Sequence, residues 1–155
     1  MSSDLKRLVN QVGITKENAR KLVEGGGLSP SHSFDIEPED FLERAEEDYQ
    51  QGGTSASLNS ITNSKRAIYS KMDQALAWLG FDATRLKVLK KVELLGSLGF
   101  VTPRILKRVT TPRNILEHQY VRPTTEEIEE ALDLAALFTE SINRHLLTFE
   151  SFESC

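Results

Sequence analysis

The sequence has little cysteine and no long apolar stretch. Its single cysteine, Cys155, excludes a disulfide bond within the chain and gives no indication of an oxidising compartment. No apolar run approaches the ~20 residues that a membrane-spanning helix needs. The first ten residues are charged where a signal peptide would be apolar. These absences predict a soluble, cytoplasmic protein with no membrane partner.

Patterns typical of several enzyme classes are also absent. The three histidines are His32, His118 and His145, and none has a second His or Cys nearby, so we expect no zinc site. The glycines at 25–27 lack the Lys-Ser/Thr of a phosphate-binding loop. No G-x-S-x-G nucleophile elbow occurs either. The sequence therefore predicts a protein that works without a metal or another cofactor.

Helical periodicity dominates the rest of the chain, because no apolar–polar alternation typical of a strand persists for six residues. The first predicted helix starts at Pro38 and ends at Gly52-Gly53. The second starts after a Thr54 or Ser57 cap and runs to Gly80. The pattern predicts an all-α fold, an antiparallel bundle of four to five helices.

The later helices are marked by their caps. Asp82 is predicted to cap the third helix, with Leu86, Leu89, Val92 and Leu95 facing inward. Two Thr-Pro pairs, at 102–103 and 111–112, predict short helical pieces. A capping box from Thr124 to Glu127 starts the last helix. On that helix His145 is expected to be a core or edge residue rather than a site residue.

Composition divides the chain into three parts. Residues 1–34 are predicted to be an extension and linker, 35–150 the helical bundle, and 151–155 a tail. The net charge is −4, but residues 85–122 carry nine Lys or Arg and two Glu, whereas 35–51 and 124–155 each carry eight acids and one base. The basic stretch is either a solvated surface or a place that attracts a phosphate backbone.

One segment within that basic stretch combines residue types that are useful in catalysis. If it is helical from Pro112, successive residues turn by about 100°. Arg113, Asn114, Glu117 and His118 then share one face, and Tyr120 lies beside Arg113. A cation, an amide and an imidazole suit a phosphodiester substrate. The alternative is an ordinary exposed face with an Arg113–Glu117 ion pair.

The pattern Arg113-Asn114-x3-His118-x-Tyr120 resembles the Arg-x4–6-His motif of the HEPN family, in the form followed by x-Tyr. In that family the motif precedes a long last helix, as residues 124–149 are predicted to form here. The segment from Asn63 to Trp78 also resembles the long second helix of such domains. The resemblance covers roughly residues 35–149.

The resemblance implies a metal-independent endoribonuclease acting on single-stranded RNA, often in toxin–antitoxin or defence systems. Arg113 and His118 would be catalytic and Asn114 supportive. Tyr120 would be a neighbour that a nucleotidyltransferase-type antitoxin modifies in some toxin pairs. Lys65 and Arg108 are further candidates for contacts with RNA, although a lysine that packs its stem and exposes its amine is the simpler interpretation of Lys65. The alternative function is a non-catalytic HEPN module that binds a nucleotide, RNA or protein.

Cleavage through the 2′-hydroxyl predicts a homodimer. The reaction needs a base for that hydroxyl and an acid for the leaving 5′-oxygen, and one chain offers only one motif histidine. A two-fold dimer through the motif face would supply both.

Overall fold

The computed structural model describes residues 35–101, 104–105, 108 and 122–153, and every regular element in these ranges is helical. Four α-helices are present, with one 3₁₀ turn (Ala83–Arg85) before the third: α1 (Pro38–Gln51), α2 (Thr54–Trp78), α3 (Val88–Ser97) and α4 (Thr125–Glu153). Residues 104, 105 and 108 are also helical. The predicted all-α bundle is therefore confirmed. The extension 1–34 and most of the two Thr-Pro pieces lie outside the described residues.

The first two helices form an antiparallel hairpin. Gly52 and Gly53 join them with φ angles of 69° and 88°, a backbone region that glycine enters without steric cost. Gly53 is the N-cap of α2, so Thr54 is its first residue and not its cap. Ser57, the other predicted cap, is buried one turn inside the helix, where its hydroxyl donates to the Gly53 carbonyl.

Helix α4 runs antiparallel to α1. Tyr49 near the end of α1 bonds Glu129 near the start of α4, and Glu39 at the start of α1 bonds Asn143 far along α4. Since α2 is antiparallel to α1 as well, α2 and α4 point the same way. This is the arrangement of an up-and-down bundle.

The core lies among α2, α3 and α4. Its largest fully buried apolar side chains are Met72 and Leu76 of α2, Leu95 of α3, Phe138 and Ile142 of α4, and Phe100. A smaller cluster at the other end holds Ala45, Ile61, Ile128 and Leu132. Apolar residues at helical spacing along both long helices are buried or half-buried: Leu58, Ile61, Ile68, Met72, Ala75, Leu76 and Leu79 of α2, and Ile128, Ala131, Leu132, Ala135, Phe138, Ile142 and Leu146 of α4.

The prediction for α3 is partly wrong. Asp82 caps the 3₁₀ turn, through its contacts with the Thr84 amide and hydroxyl, and Leu86 is extended. The α-helix therefore starts only at Val88, after Lys87. The inward face of the helix also includes Leu94. Val92 and Leu95 are buried as expected, but Leu89 is 63% exposed.

The start of α4 follows the prediction. The Thr124 hydroxyl accepts a bond from the Glu127 amide at 3.2 Å, and the Glu127 carboxylate accepts one from the Thr124 amide at 2.9 Å. Two backbone donors that the helix itself cannot satisfy are thereby bonded. The predicted capping box is confirmed.

Candidate functional site

The motif residues Arg113, Asn114, His118 and Tyr120 lie outside the described residues. The structure shows where the described chain ends before the motif and where it resumes after the motif. Arg108 is the last described residue before the motif, and Arg122 is the first after it. These two ends, and the surface around them, define the setting of the candidate site.

Both ends are attached to the first two turns of α4. The Arg108 guanidinium forms an ion pair with the Glu130 carboxylate, and both side chains are about half-exposed. On the other side, Pro123 is buried and Thr124 caps the helix. Glu130 lies six residues after Thr124, which is ~9 Å along a helix axis. The chain therefore departs and returns at the same end of the bundle.

That end of the bundle is acidic. Glu126, Glu129, Glu130 and Asp133 are exposed on α4, and Glu46 is exposed on the neighbouring α1. The Tyr49 hydroxyl donates to Glu129 at 2.5 Å. This bond, with burial and the charges of Glu129 and Glu46, raises the pKa of Tyr49 above its ordinary value of 10.0. The carboxylates of Glu46 on α1 and Glu129 on α4 therefore both act on Tyr49.

Of the two other predicted contact residues, Arg108 is already engaged by Glu130, as described above. Lys65 is half-buried in the middle of α2. Ile61, one turn before it, packs in the same cluster as Ile128 and Leu132. Lys65 therefore lies in the half of the bundle where the motif segment begins and ends. Among the described residues nothing brings Lys65 and Arg108 into contact.

A buried polar network was not predicted from the sequence. The Lys71 side chain is 3% exposed, and its amine donates to Glu39 and to Gln74, each at 2.7 Å. Gln74 in turn donates to Glu37 at 2.8 Å, and Asn143 donates to Glu39 at 3.2 Å. The network joins α1, α2 and α4. A signal for it existed, because Lys71 stands three residues after Ile68 and four before Ala75 on the apolar face.

The network keeps Glu39 ionised. Burial alone would raise the pKa of this carboxyl, but the hydrogen bonds from Lys71 and Asn143 and the Lys71 charge outweigh burial and lower it from 4.5. The amine of Lys71 donates hydrogen bonds to both Glu39 and Gln74. Its position fits a role in holding three helices together, and it does not face the end of the bundle where the motif segment is attached.

His145 is an edge residue, as predicted. It is exposed, and its ring lies 5.4 Å from that of buried Phe100, at an interplanar angle of 53°. One turn earlier, the Ser141 hydroxyl donates to the Phe100 carbonyl at 3.1 Å. Phe100 thus lies beside residues 141–145, and Arg108 lies beside Glu130, nearer the start of α4.

Within the ranges that the structure describes, none of the helices is long and apolar enough to cross a membrane. The same ranges contain no group of three or more His, Cys, Asp or Glu side chains placed to hold a metal ion.

Comparison with known proteins gives no relative: no family model, no curated protein and no solved structure matches this chain.

Proposed function

We propose that this protein is a metal-independent endoribonuclease of the HEPN type that cleaves single-stranded RNA. The observation that carries the proposal is the Arg113-x4-His118-x-Tyr120 pattern placed directly before the long last helix of an all-helical bundle. The lengths of the two longest helices support it, since α2 has 25 residues and α4 has 29. A toxin–antitoxin or defence role belongs to the same proposal.

The proposed chemistry needs no group beyond the chain's own side chains. His118 transfers protons to or from the reacting oxygens, a role worth ~10²–10⁴-fold in rate. Arg113 binds the phosphate and stabilises the charge that develops on it. Asn114 orients the imidazole or a substrate oxygen. Tyr120, Lys65 and Arg108 contact the RNA, and Tyr120 is the residue that a nucleotidyltransferase-type antitoxin would modify.

The acidic end of the bundle constrains how RNA can approach. Carboxylates at 126, 129, 130 and 133 repel phosphates, so affinity must come from the cations of residues 104–122. Arg108 is shared between Glu130 and any incoming phosphate. We therefore expect weak binding with little sequence selectivity from the bundle itself.

The test is RNA cleavage in EDTA by the wild type, His118→Ala and His145→Ala. His145→Ala is the matched control, because it removes an exposed imidazole from the same chain without touching the motif. We expect cleavage by the wild type and by His145→Ala, and a loss of at least about 100-fold in His118→Ala. Equal activity in all three preparations would contradict the assignment of His118.

Dimerisation is a separate expectation of the same mechanism. Light scattering at micromolar concentration should give twice the mass of one chain. Mixing wild type with an excess of His118→Ala subunits should lower the activity per wild-type subunit, because each mixed dimer keeps a single motif histidine. A monomer with full activity would rule out the shared site.

The second candidate is a non-catalytic module that binds a partner at the same place. The acidic surface beside the motif favours this alternative, since it suits a basic protein better than RNA. Absence of cleavage by the wild type on several RNAs, with retained binding in His118→Ala, would select it.

A further inference from the structure

A shallow groove lies between the start of α1 and the middle of α2. It has a volume of about 430 Å³, and its lining is mainly apolar. This size is within the ~300–1,000 Å³ that ligand sites usually have. Its lining includes Asp35, Ile36 and Phe41 on one side, and Arg66, Tyr69 and Asp73 on the other.

Apolar side chains at the groove are partly open to solvent. Ile36 and Tyr69 are each 39% exposed, and Phe41 between them is half-buried. On the α2 side, Asp73 is already paired with Lys91 at 2.5 Å. Ile36 and Tyr69 therefore leave apolar side-chain surface open at this end of the α1–α2 hairpin.

The charge around the groove bears on which occupant it suits. Asp35 lines it, and Asp40 is exposed on the first turn of α1. Arg66 is the one cation that lines the groove within the described residues. An occupant with apolar side chains and a small positive charge fits these surroundings.

The chain itself provides such a segment, and it enters the described structure at the groove. Asp35 is both the first described residue and part of the lining. Residues 1–34 carry five Lys or Arg and three acids. Leu5, Leu8, Val9 and Val12 have the i, i+3, i+4, i+7 spacing by which helical segments anchor in apolar grooves.

We propose that residues 5–12 of this chain bind in the α1–α2 groove, with the aliphatic side chains over Ile36, Phe41 and Tyr69. The intervening residues 13–34 can span far more than the distance needed, at up to ~3.5 Å per residue. Tethering gives an effective concentration on the order of millimolar, so a shallow groove is sufficient. The inference stands independently of the ribonuclease proposal, since it uses neither the motif nor RNA.

Cross-linking in the full-length chain tests this contact. In a Cys155→Ser background, Val9→Cys is combined with Ser70→Cys, a small substitution in the groove lining. The control combines Val9→Cys with Ser97→Cys, which is exposed on α3. Both are oxidised at low micromolar protein concentration, and the intrachain disulfide is followed by non-reducing electrophoresis and peptide mass. We expect the 9–70 bond to form at least about tenfold faster than the 9–97 bond.

A second pair of variants separates specific docking from chance collision. Leu8→Asp places a charge on the aliphatic side of residues 5–12 and should reduce the 9–70 rate to that of the control. Asn10→Asp adds the same charge on the opposite side and should leave the rate unchanged. Equal 9–70 and 9–97 rates would overturn the proposal. Disulfides formed between chains would overturn it too, and would assign the groove to a second copy.

Discussion

Lys71 is the side chain with the most unusual surroundings among the described residues. It is a lysine on the apolar face of α2, 3% exposed and held by Glu39 and Gln74. A buried ammonium that loses its counter-charge is destabilising, although Glu39 is half-exposed and water moderates the effect. We expect Glu39→Ala to lower the free energy of unfolding by about 1–2 kcal/mol in urea titrations.

Glu43→Ala is the control for that measurement, because it removes an exposed carboxylate from the same helix. It should change stability by less than about 0.5 kcal/mol. Lys71→Met, which removes the charge and keeps the volume, should cost less than Glu39→Ala. An equal loss in Glu39→Ala and Glu43→Ala would mean that the buried pair contributes nothing.

The same carboxylate predicts a dependence on pH. The pKa of Glu39 is lower in the folded chain than its ordinary value of 4.5. Its contribution is therefore complete above the pKa of the unfolded chain and is lost as pH falls through the folded pKa. The difference in stability between wild type and Glu39→Gln should be largest near neutral pH and shrink towards pH ~3. A difference that stays constant over this range would contradict the role of the charge.

At this scale the sequence predicts side-chain environments unevenly. Apolar residues at helical spacing, such as Met72 and Phe138, are buried because the spacing alone places them on one face. The same spacing places Lys71 on the apolar face, but its carboxylate partner Glu39 reaches it only in the folded hairpin. Leu89 is exposed although its spacing predicts an inward position, because α3 packs through a face centred between Val92, Leu94 and Leu95.

At the scale of elements, the contact between α1 and α2 depends on small residues. Ala45, Ser60 and Ala67 are fully buried, and the Ser60 hydroxyl donates to the Ala45 carbonyl at 2.8 Å. Because the Ser60 side chain already contacts the backbone of α1, position 60 has no room for a larger side chain. We expect Ser60→Leu to destabilise the fold by about 1–3 kcal/mol through overpacking, measured by thermal or urea unfolding.

Asn59→Leu is the matched control for Ser60→Leu, since position 59 is exposed on the same turn of α2. It makes the same apolar addition outside the contact and should be close to neutral. If both variants unfold alike, the close approach of the two helices does not limit stability.

The sequence predicted a helix end correctly where the residues at that end have a strong preference for a helix boundary. Pro38, Gly52-Gly53 and the Thr124–Glu127 box all mark real boundaries, because each restricts backbone angles or satisfies free backbone groups. The start of α2 was missed by one residue or more, since Gly53 takes the cap position that Thr54 or Ser57 was expected to fill. A run of Thr, Ser and Gly offers several caps, and only the folded turn selects among them.

At the scale of the whole molecule, the distribution of charge bears on RNA binding. The basic stretch ends where the acidic start of α4 begins, and Arg108 pairs with Glu130 across that boundary. We expect Glu130→Gln to raise affinity for RNA several-fold at low salt, because it frees Arg108 and removes a repelling charge. The gain should fall above ~0.1 M salt as screening sets in.

The measurement is fluorescence anisotropy with a 2′-O-methyl RNA that cannot be cleaved through its 2′-oxygen. Glu140→Gln is the control, since Glu140 is also exposed on α4 and paired with a cation, Arg144, but lies almost three turns further along. The same gain in both variants would show a general effect of net charge, and no gain in either would place RNA elsewhere.

The candidate site was less predictable than the fold. Periodicity determines which helix faces are apolar, and the capping box locates the start of α4, so the setting of the motif follows from local rules. The acidic surface beside it depends on α1 and α4 lying side by side, which the bond from Tyr49 to Glu129 reflects. Counting charges along the chain identifies the acidic and basic stretches. It does not show that these stretches are neighbours in the folded protein.

The most direct test of the proposed activity is cleavage of a DNA strand that contains a single ribonucleotide. Attack through a 2′-hydroxyl can occur at only one position in that substrate. The account predicts one cut in EDTA, directly after the ribonucleotide, with a 2′,3′-cyclic phosphate on one product and a 5′-hydroxyl on the other. Cleavage at deoxynucleotides, products ending in 3′-hydroxyl and 5′-phosphate, or dependence on added metal would contradict it.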